Sequence, residues 1–226
     1  MRNVKAIIFD LGGTLLHLDY PYFVTVFAER GFTVSEGEFF LAVARANQQL
    51  DAVVIRDNTS TDASRWQHFF EFLLSELRVP FDRASFITDV LRPRHATVNL
   101  WNYVLPETDI LLESLAQKYP LAMISNSDGR AEAKTLQYGL REHLEFVIDS
   151  HFVGLEKPNP KIFEMACERL ELAPSECVYV GDIYSVDVRG AIAAGLKPIL
   201  IDCTATPRTD CLVLRSITDL RGVFLD

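Results

Sequence analysis

The stretch Lys5–Asp19, KAIIFDLGGTLLHLD, decides the fold. A nearly continuous apolar run that includes Val4, Ile7 and Ile8 ends at Asp10, and Gly12, Gly13 and Thr14 follow at once. An unbroken apolar run of this length predicts a strand covered on both faces, as in a parallel sheet. The strand would carry a carboxylate at its tip, under a glycine turn whose backbone N–H groups point at whatever lies above.

Downstream, the pattern turns helical. PYFVTVFAERG opens with Pro21 and stops at Gly31; the next segment starts at Ser35 with Glu38 three residues on, a capping box. In DASRWQHFFEFLLSEL, Trp66, Phe69, Phe70, Leu73, Leu74 and Leu77 line one face of a helix, as the core of a helical bundle would. After about Pro93 the pattern changes again. Strands are expected in PLAMIS, EFVIDS, CVYVGD and KPILID, and helices in PETDILLESLAQKY, DGRAEAKTLQYG, NPKIFEMACERLEL and YSVDVRGAIAAG. Strands alternating with helices predict an α/β class: a Rossmann-like parallel sheet with helices on both faces. The expected division is an α/β core of 1–16 and 97–226, interrupted by a smaller all-helical domain over 17–96.

The chain has 226 residues, 49% of them hydrophobic, which is enough for a sizeable core. Its formal charge of −9 argues against nucleic acid or an anionic membrane surface as a partner, since both need a basic face. Four scattered cysteines without a C-x-x-C pair read as reduced thiols, and the opening apolar run is too short for a leader or a membrane span. The expected location is therefore cytoplasmic. Nothing in the sequence fixes an oligomeric state.

In parallel α/β sheets, ligands gather at the carboxyl ends of the strands. Three expected strand ends carry polar groups: Asp10 with its glycine turn, Ser125 with Asn126, and Asp182 with Asp187 five residues on. Lys157 lies in the loop GLEKPNPKIF. Each alone is weak evidence, because strand-end aspartates commonly cap helices and most lysines are solvated. Brought together, three carboxylates would outweigh one lysine, and hard oxygen ligands at that density suit Mg²⁺. Ser125 and neighbouring N–H groups near a helix start would hold an anionic phosphate. The set reads as metal, nucleophile and phosphate clamp.

In this order the motifs resemble those of the haloacid dehalogenase superfamily of aspartate-nucleophile hydrolases. Asp10, Gly13 and Thr14 match its D-x-D-G-T motif except at Gly12; ISNS matches the second motif, Lys157 the third, and VGDIYSVD the fourth. The resemblance implies a phosphatase acting on a small phosphorylated metabolite through an aspartyl-phosphate on Asp10. Ser125 and Lys157 join Asp10 as the implied catalytic residues. Phosphate would be held by Leu11, Gly12, Thr14, Ser125, Asn126 and Lys157. Mg²⁺ would be held by Asp10, the Gly12 carbonyl and Asp182, with Asp187 behind them. The inserted helices would form the family's cap, closing over the site.

Gly12 departs from the pattern, because relatives place their acid–base aspartate there. A general acid–base group is typically worth about 10²–10⁴-fold. A weak phosphatase, a substitute group (His17 or Asp19) or a catalytically silent binder are the readings this leaves. A carbon–halogen hydrolase of the same superfamily also lacks that aspartate, but usually carries an aromatic residue in its place and lacks the metal ligand that Asp182 matches. An actin-like sugar kinase shares D-x-G-G-T but needs a second strand directly after it and a second glycine-rich loop. A phosphonate-cleaving relative needs a lysine in the cap, and none occurs between Lys5 and Lys118. Arg45, Arg56, Arg65 and His68 are the candidate cap contacts for an anionic substrate.

Overall fold

The computed structural model describes residues 3–57 and 62–226, which leaves Arg2 and the side chain of Arg56 outside the described residues. Two compact units divide the chain. One runs to Leu15 and resumes over Val104–Asp226; the other is Leu16–Tyr103.

The strands, in chain order, are β1 (Ala6–Phe9), β2 (His17–Leu18), β3 (Trp101–Tyr103), β4 (Leu121–Ser125), β5 (Phe146–Asp149), β6 (Cys177–Gly181), β7 (Lys197–Ile201) and β8 (Leu212–Leu214). The first unit is built on a six-stranded sheet of order β5-β4-β1-β6-β7-β8. Every pair in it is parallel. β1 therefore runs through the centre, which is why its four residues are apolar and fully buried. Alternate side chains serve opposite faces. Ile8, Ile124 and Tyr179 pack with Ile162, Phe163 and Ala166 of the helix Pro160–Arg169. Ile7, Phe9 and Val180 on the other face are equally buried. The helix Thr108–Ala116 buries Leu111, Leu112 and Leu115.

The second unit is helical apart from the antiparallel pair β2–β3. That pairing brings Trp101–Tyr103 into this unit, so the chain crosses back at 103–104 rather than at 96–97. The stripe on the helix Asp62–Glu76 enters the unit's core: Phe69, Phe70, Leu73 and Leu74 are buried, with Trp66 and Leu77 half-buried at its edge. The Ser35 N–H donates to Glu38 Oε2 (3.0 Å) and the Glu38 N–H to Ser35 Oγ (3.4 Å), the reciprocal cap at the start of the helix Glu36–Asp57.

Two differences from the sequence expectations concern local pattern. YSVDVRGAIAAG is not one α-helix. Tyr184–Val188 forms a π-helical turn before the short helix Arg189–Ala193. β8 went unexpected, because three residues at a sheet edge leave too little pattern to read. Among the described residues, no helix is long and apolar enough to cross a membrane. Cys167 and Cys177 are buried, and Cys203 and Cys211 half-buried.

Candidate active site

The parallel register brings the candidate residues level. Phe9 pairs with Met123 on one side and Val180 on the other, so β4, β1 and β6 end within two residues of one level. The Asp10 N–H donates to the Val180 carbonyl at 2.8 Å, extending the ladder by one residue into the site. The turn after it closes with the Leu15 N–H on the Leu11 carbonyl, 2.9 Å. Gly13 stands there at φ +94°, and a Cβ on it would lie 2.1 Å from Asp182 Oδ2. Only glycine accepts both that backbone and that neighbour.

One carboxylate oxygen from each of Asp10, Asp182 and Asp187 lies within 4.8 Å of the others. Asp187 is carried by the π-helical turn, a distortion frequent at functional sites. The turn brings its carboxylate back over Gly181, where a Cβ would sit 2.4 Å from Asp187 Cγ. Asp187 Oδ2 accepts the Ile183 N–H at 3.0 Å and Oδ1 accepts the Lys157 ammonium at 2.7 Å.

Lys157 is 2% exposed. Its Nζ donates to Asp10 Oδ1, to Asp187 Oδ1 and, at 2.8 Å, to the Tyr179 hydroxyl. Its backbone is fixed from both ends by one side chain. The Lys157 N–H donates to Asn126 Oδ1 (2.8 Å), and Asn126 Nδ2 donates to the Lys157 carbonyl (3.0 Å). The Asn126 side chain is thus engaged in holding the lysine loop. On the other side of Lys157 the chain enters the helix Pro160–Arg169, capped by Asn159 Oδ1 on the Lys161 N–H at 3.1 Å. Gly190 lets that helix approach closely, since a Cβ there would meet Phe163 at 2.5 Å and the Pro158 backbone at 3.0 Å.

The electrostatics follow from burial and charge. Burial pushes the Asp10 carboxyl up to about 6; Lys157 pulls it back and the Asp187 carboxylate adds to the rise. Burial works against the Lys157 ammonium, but Asp10 and Asp187 outweigh it and hold its pKa above the ordinary lysine value. Burial, with the Asp187 and Asp10 carboxylates, raises the Tyr179 hydroxyl well above the usual phenol range, so it stays protonated.

Ser125 ends β4 and is buried beside the same level of the sheet. Thr14 is fully buried, and its Oγ1 finds no hydrogen-bond partner among the described residues. The structure thus brings together Asp10, Asp182, Asp187 and Lys157, with Leu11–Thr14, Ser125 and Asn126 at the adjoining strand ends. Tyr179 was missed. An aromatic inside a buried strand reads as core, and its only signal is a hydroxyl two residues before a site glycine.

Other expectations fall elsewhere. His17 lies on β2 with its ring edge-on to Phe40, 5.7 Å between centroids, and burial lowers its pKa to about 4. Asp19 caps the helix Tyr20–Ala28 through the Tyr22 N–H (3.2 Å) and pairs with Arg94 at 3.1 Å. Arg45 pairs with Glu76 at 3.7 Å, His68 with Glu71 at 3.3 Å, and Arg65 is buried. Arg45 and His68 thus each face a carboxylate in an exposed pair.

The donor set fits Mg²⁺. Three carboxylates face one ammonium, which leaves a surplus of negative charge at the strand ends. A hard divalent cation among carboxylate oxygens offsets it.

A family model described as haloacid dehalogenase-like hydrolase matches residues 4–195. The haloacid dehalogenase-like hydrolase domain-containing protein 3 of Mus musculus is 42% identical over 81 residues, 36% of this chain and 32% of that protein. The phosphoserine phosphatase of Thermus thermophilus is 36% identical over 124 residues, 53% of this chain and 49% of that protein. The chain thus spans a third to a half of the length of these curated relatives. Among solved structures, the HAD-hydrolase YfnB of Bacillus subtilis bound to magnesium superposes with a TM-score of 0.67 over 99% of both chains at 18% identity, a likeness of fold.

Proposed function

The chain belongs to the haloacid dehalogenase-like hydrolase family, and on that premise we propose that it is a Mg²⁺-dependent phosphatase of a small phosphorylated metabolite. One observation carries the reading: a buried Asp10 carboxylate at the tip of the central strand, clustered with Asp182 and Asp187 and bonded to Lys157. A phosphatase relative, the phosphoserine phosphatase of Thermus thermophilus, supports the reaction class.

Asp10 attacks phosphorus, and the bond from phosphorus to the ester oxygen breaks. The leaving oxygen departs with the ester's electron pair. Water then attacks the phosphorus of the aspartyl-phosphate, releasing phosphate and restoring the Asp10 carboxylate. Ser125, Lys157, Thr14 and the N–H groups of Leu11, Gly12 and Asn126 orient and neutralise the phosphoryl oxygens, where positioning and electrostatics supply most of the catalysis. Asp10, Asp182 and the Gly12 carbonyl, backed by Asp187, would hold the Mg²⁺, whose chemistry is to neutralise charge on those oxygens. With glycine at position 12 no side chain there protonates the leaving oxygen, so the enzyme favours esters whose leaving groups are stable as anions.

The test is turnover of an activated aryl phosphate with and without Mg²⁺, by wild type and Asp10→Asn. Mg²⁺-dependent turnover that the substitution abolishes supports the reading. Turnover of a 2-haloacid instead, or of nothing despite bound metal, overturns it.

A further inference from the structure

We propose that Tyr179 is a positioning residue for the Lys157 ammonium: its hydroxyl is the neutral third acceptor that fixes the lysine against Asp10 and Asp187. This rests on the phosphatase reading for its effect on turnover, but not for the contact itself.

A lysine ammonium has three N–H donors and no acceptor. Lys157 gives one to Asp10 Oδ1, one to Asp187 Oδ1 and one to the Tyr179 hydroxyl at 2.8 Å. All three are therefore used inside a water-poor site, where an unmade bond to a charged donor is costly. The third partner has to accept without adding charge, because the site already holds a surplus of carboxylates over cations. A phenol that keeps its proton meets that requirement, whereas an aspartate or glutamate would not.

The geometry also fixes which way the phenol faces. Tyr179 is fully buried on β6, and its ring packs against Phe163 with centroids 4.8 Å apart. Its oxygen lies 3.3 Å from the Ile124 carbonyl and 3.4 Å from Asp187 Oδ1. Either acceptor takes the hydroxyl proton, and an oxygen lone pair is left for Lys157. The hydroxyl thus joins β6 to β4 beneath the lysine and holds the ammonium from the core side. Asn126 fixes the backbone of Lys157, and Tyr179 fixes the other end of its side chain.

Tyr179→Phe removes the hydroxyl and keeps the ring on Phe163, so the fold is retained. In the Mg²⁺-loaded enzyme, kcat on an aryl phosphate is expected to fall about 10–100-fold while KM moves less than about threefold. In a Lys157→Met background the same substitution should cost nothing further, because the group it positions is gone. A second readout is independent of turnover. In wild-type protein labelled with ¹⁵N-lysine, the Lys157 Nζ protons should be protected from exchange, and Tyr179→Phe should remove that protection. If wild type turned over no phosphate, the exchange arm would still decide for or against Tyr179, while the phosphatase reading alone would fall. Unchanged exchange, a kcat within twofold of wild type, or a full additional loss in the Lys157→Met background would each overturn the proposal.

Discussion

At the scale of single residues, the site is a balance between negative charge and its few compensations. Asp10 titrates near 6 because burial and Asp187 oppose its ionisation more than Lys157 favours it. A cation that binds the carboxylate must displace its proton below that pH. Mg²⁺ affinity measured by calorimetry should therefore fall about tenfold per pH unit below about 6 and level off above it. An affinity flat from pH 5 to 7 would contradict Asp10 as a ligand. Gly13→Ala tests the close approach to Asp182. A Cβ placed 2.1 Å from Oδ2, on a backbone at φ +94°, must expel the carboxylate or the turn. The expected outcome is loss of Mg²⁺ binding, with a destabilisation of about 1–3 kcal/mol by chemical denaturation. Gly12→Asp should act in the opposite sense, raising turnover of alkyl phosphates relative to aryl phosphates by about 10–100-fold, as a restored proton donor would. An unchanged ratio would show that proton donation does not limit the wild type.

At the scale of elements, legibility followed the contrast between apolar runs and what ends them. β1, β4 and β6 could be read because each run of buried residues stops at a polar side chain, Asp10, Ser125 or Asp182. The π-helical turn could not, since Tyr184 to Gly195 carries an unbroken helical pattern. The Asp187 carboxylate accepts the Ile183 N–H within the turn and reaches Lys157 on a distant segment. The β2–β3 pair joins segments far apart in sequence, so no local pattern announces it. Tyr179 was missed because its partner Lys157 lies on another segment. β2 also carries a titration effect of its own. His17 has a folded pKa of about 4, below its ordinary 6.5, so the unfolded chain binds the proton more tightly. The stability this represents is present above pH 6.5 and lost as pH falls towards 4. His17→Phe, which keeps the aromatic contact with Phe40, should reduce the loss of stability between pH 7 and 4.5 by about 1–2 kcal/mol in urea melts. An identical pH dependence in both proteins would contradict a neutral His17 on β2.

At the scale of the whole molecule, the fold gathers segments from both ends of the first unit's sequence at the edge of one sheet. Central placement of β1 between β4 and β6 puts Asp10 between the Ser125 end and the Asp182 end. The lysine arrives from a loop between β5 and β6, and the π-helical turn follows β6 directly. Ordered motifs along the chain could be read because each strand end contributes its own short signature. Their convergence depends on strand order and register, which only the folded sheet supplies. The central claim is that Asp10 becomes covalently phosphorylated. The most direct measurement is to mix the Mg²⁺-loaded enzyme with an aryl phosphate, quench rapidly, reduce with borohydride and locate the product by peptide mass spectrometry. An acyl-phosphate on Asp10 would be recovered as homoserine at position 10 and be absent in Asp10→Asn. Turnover with residue 10 unmodified, or homoserine at position 182 or 187, would contradict the account.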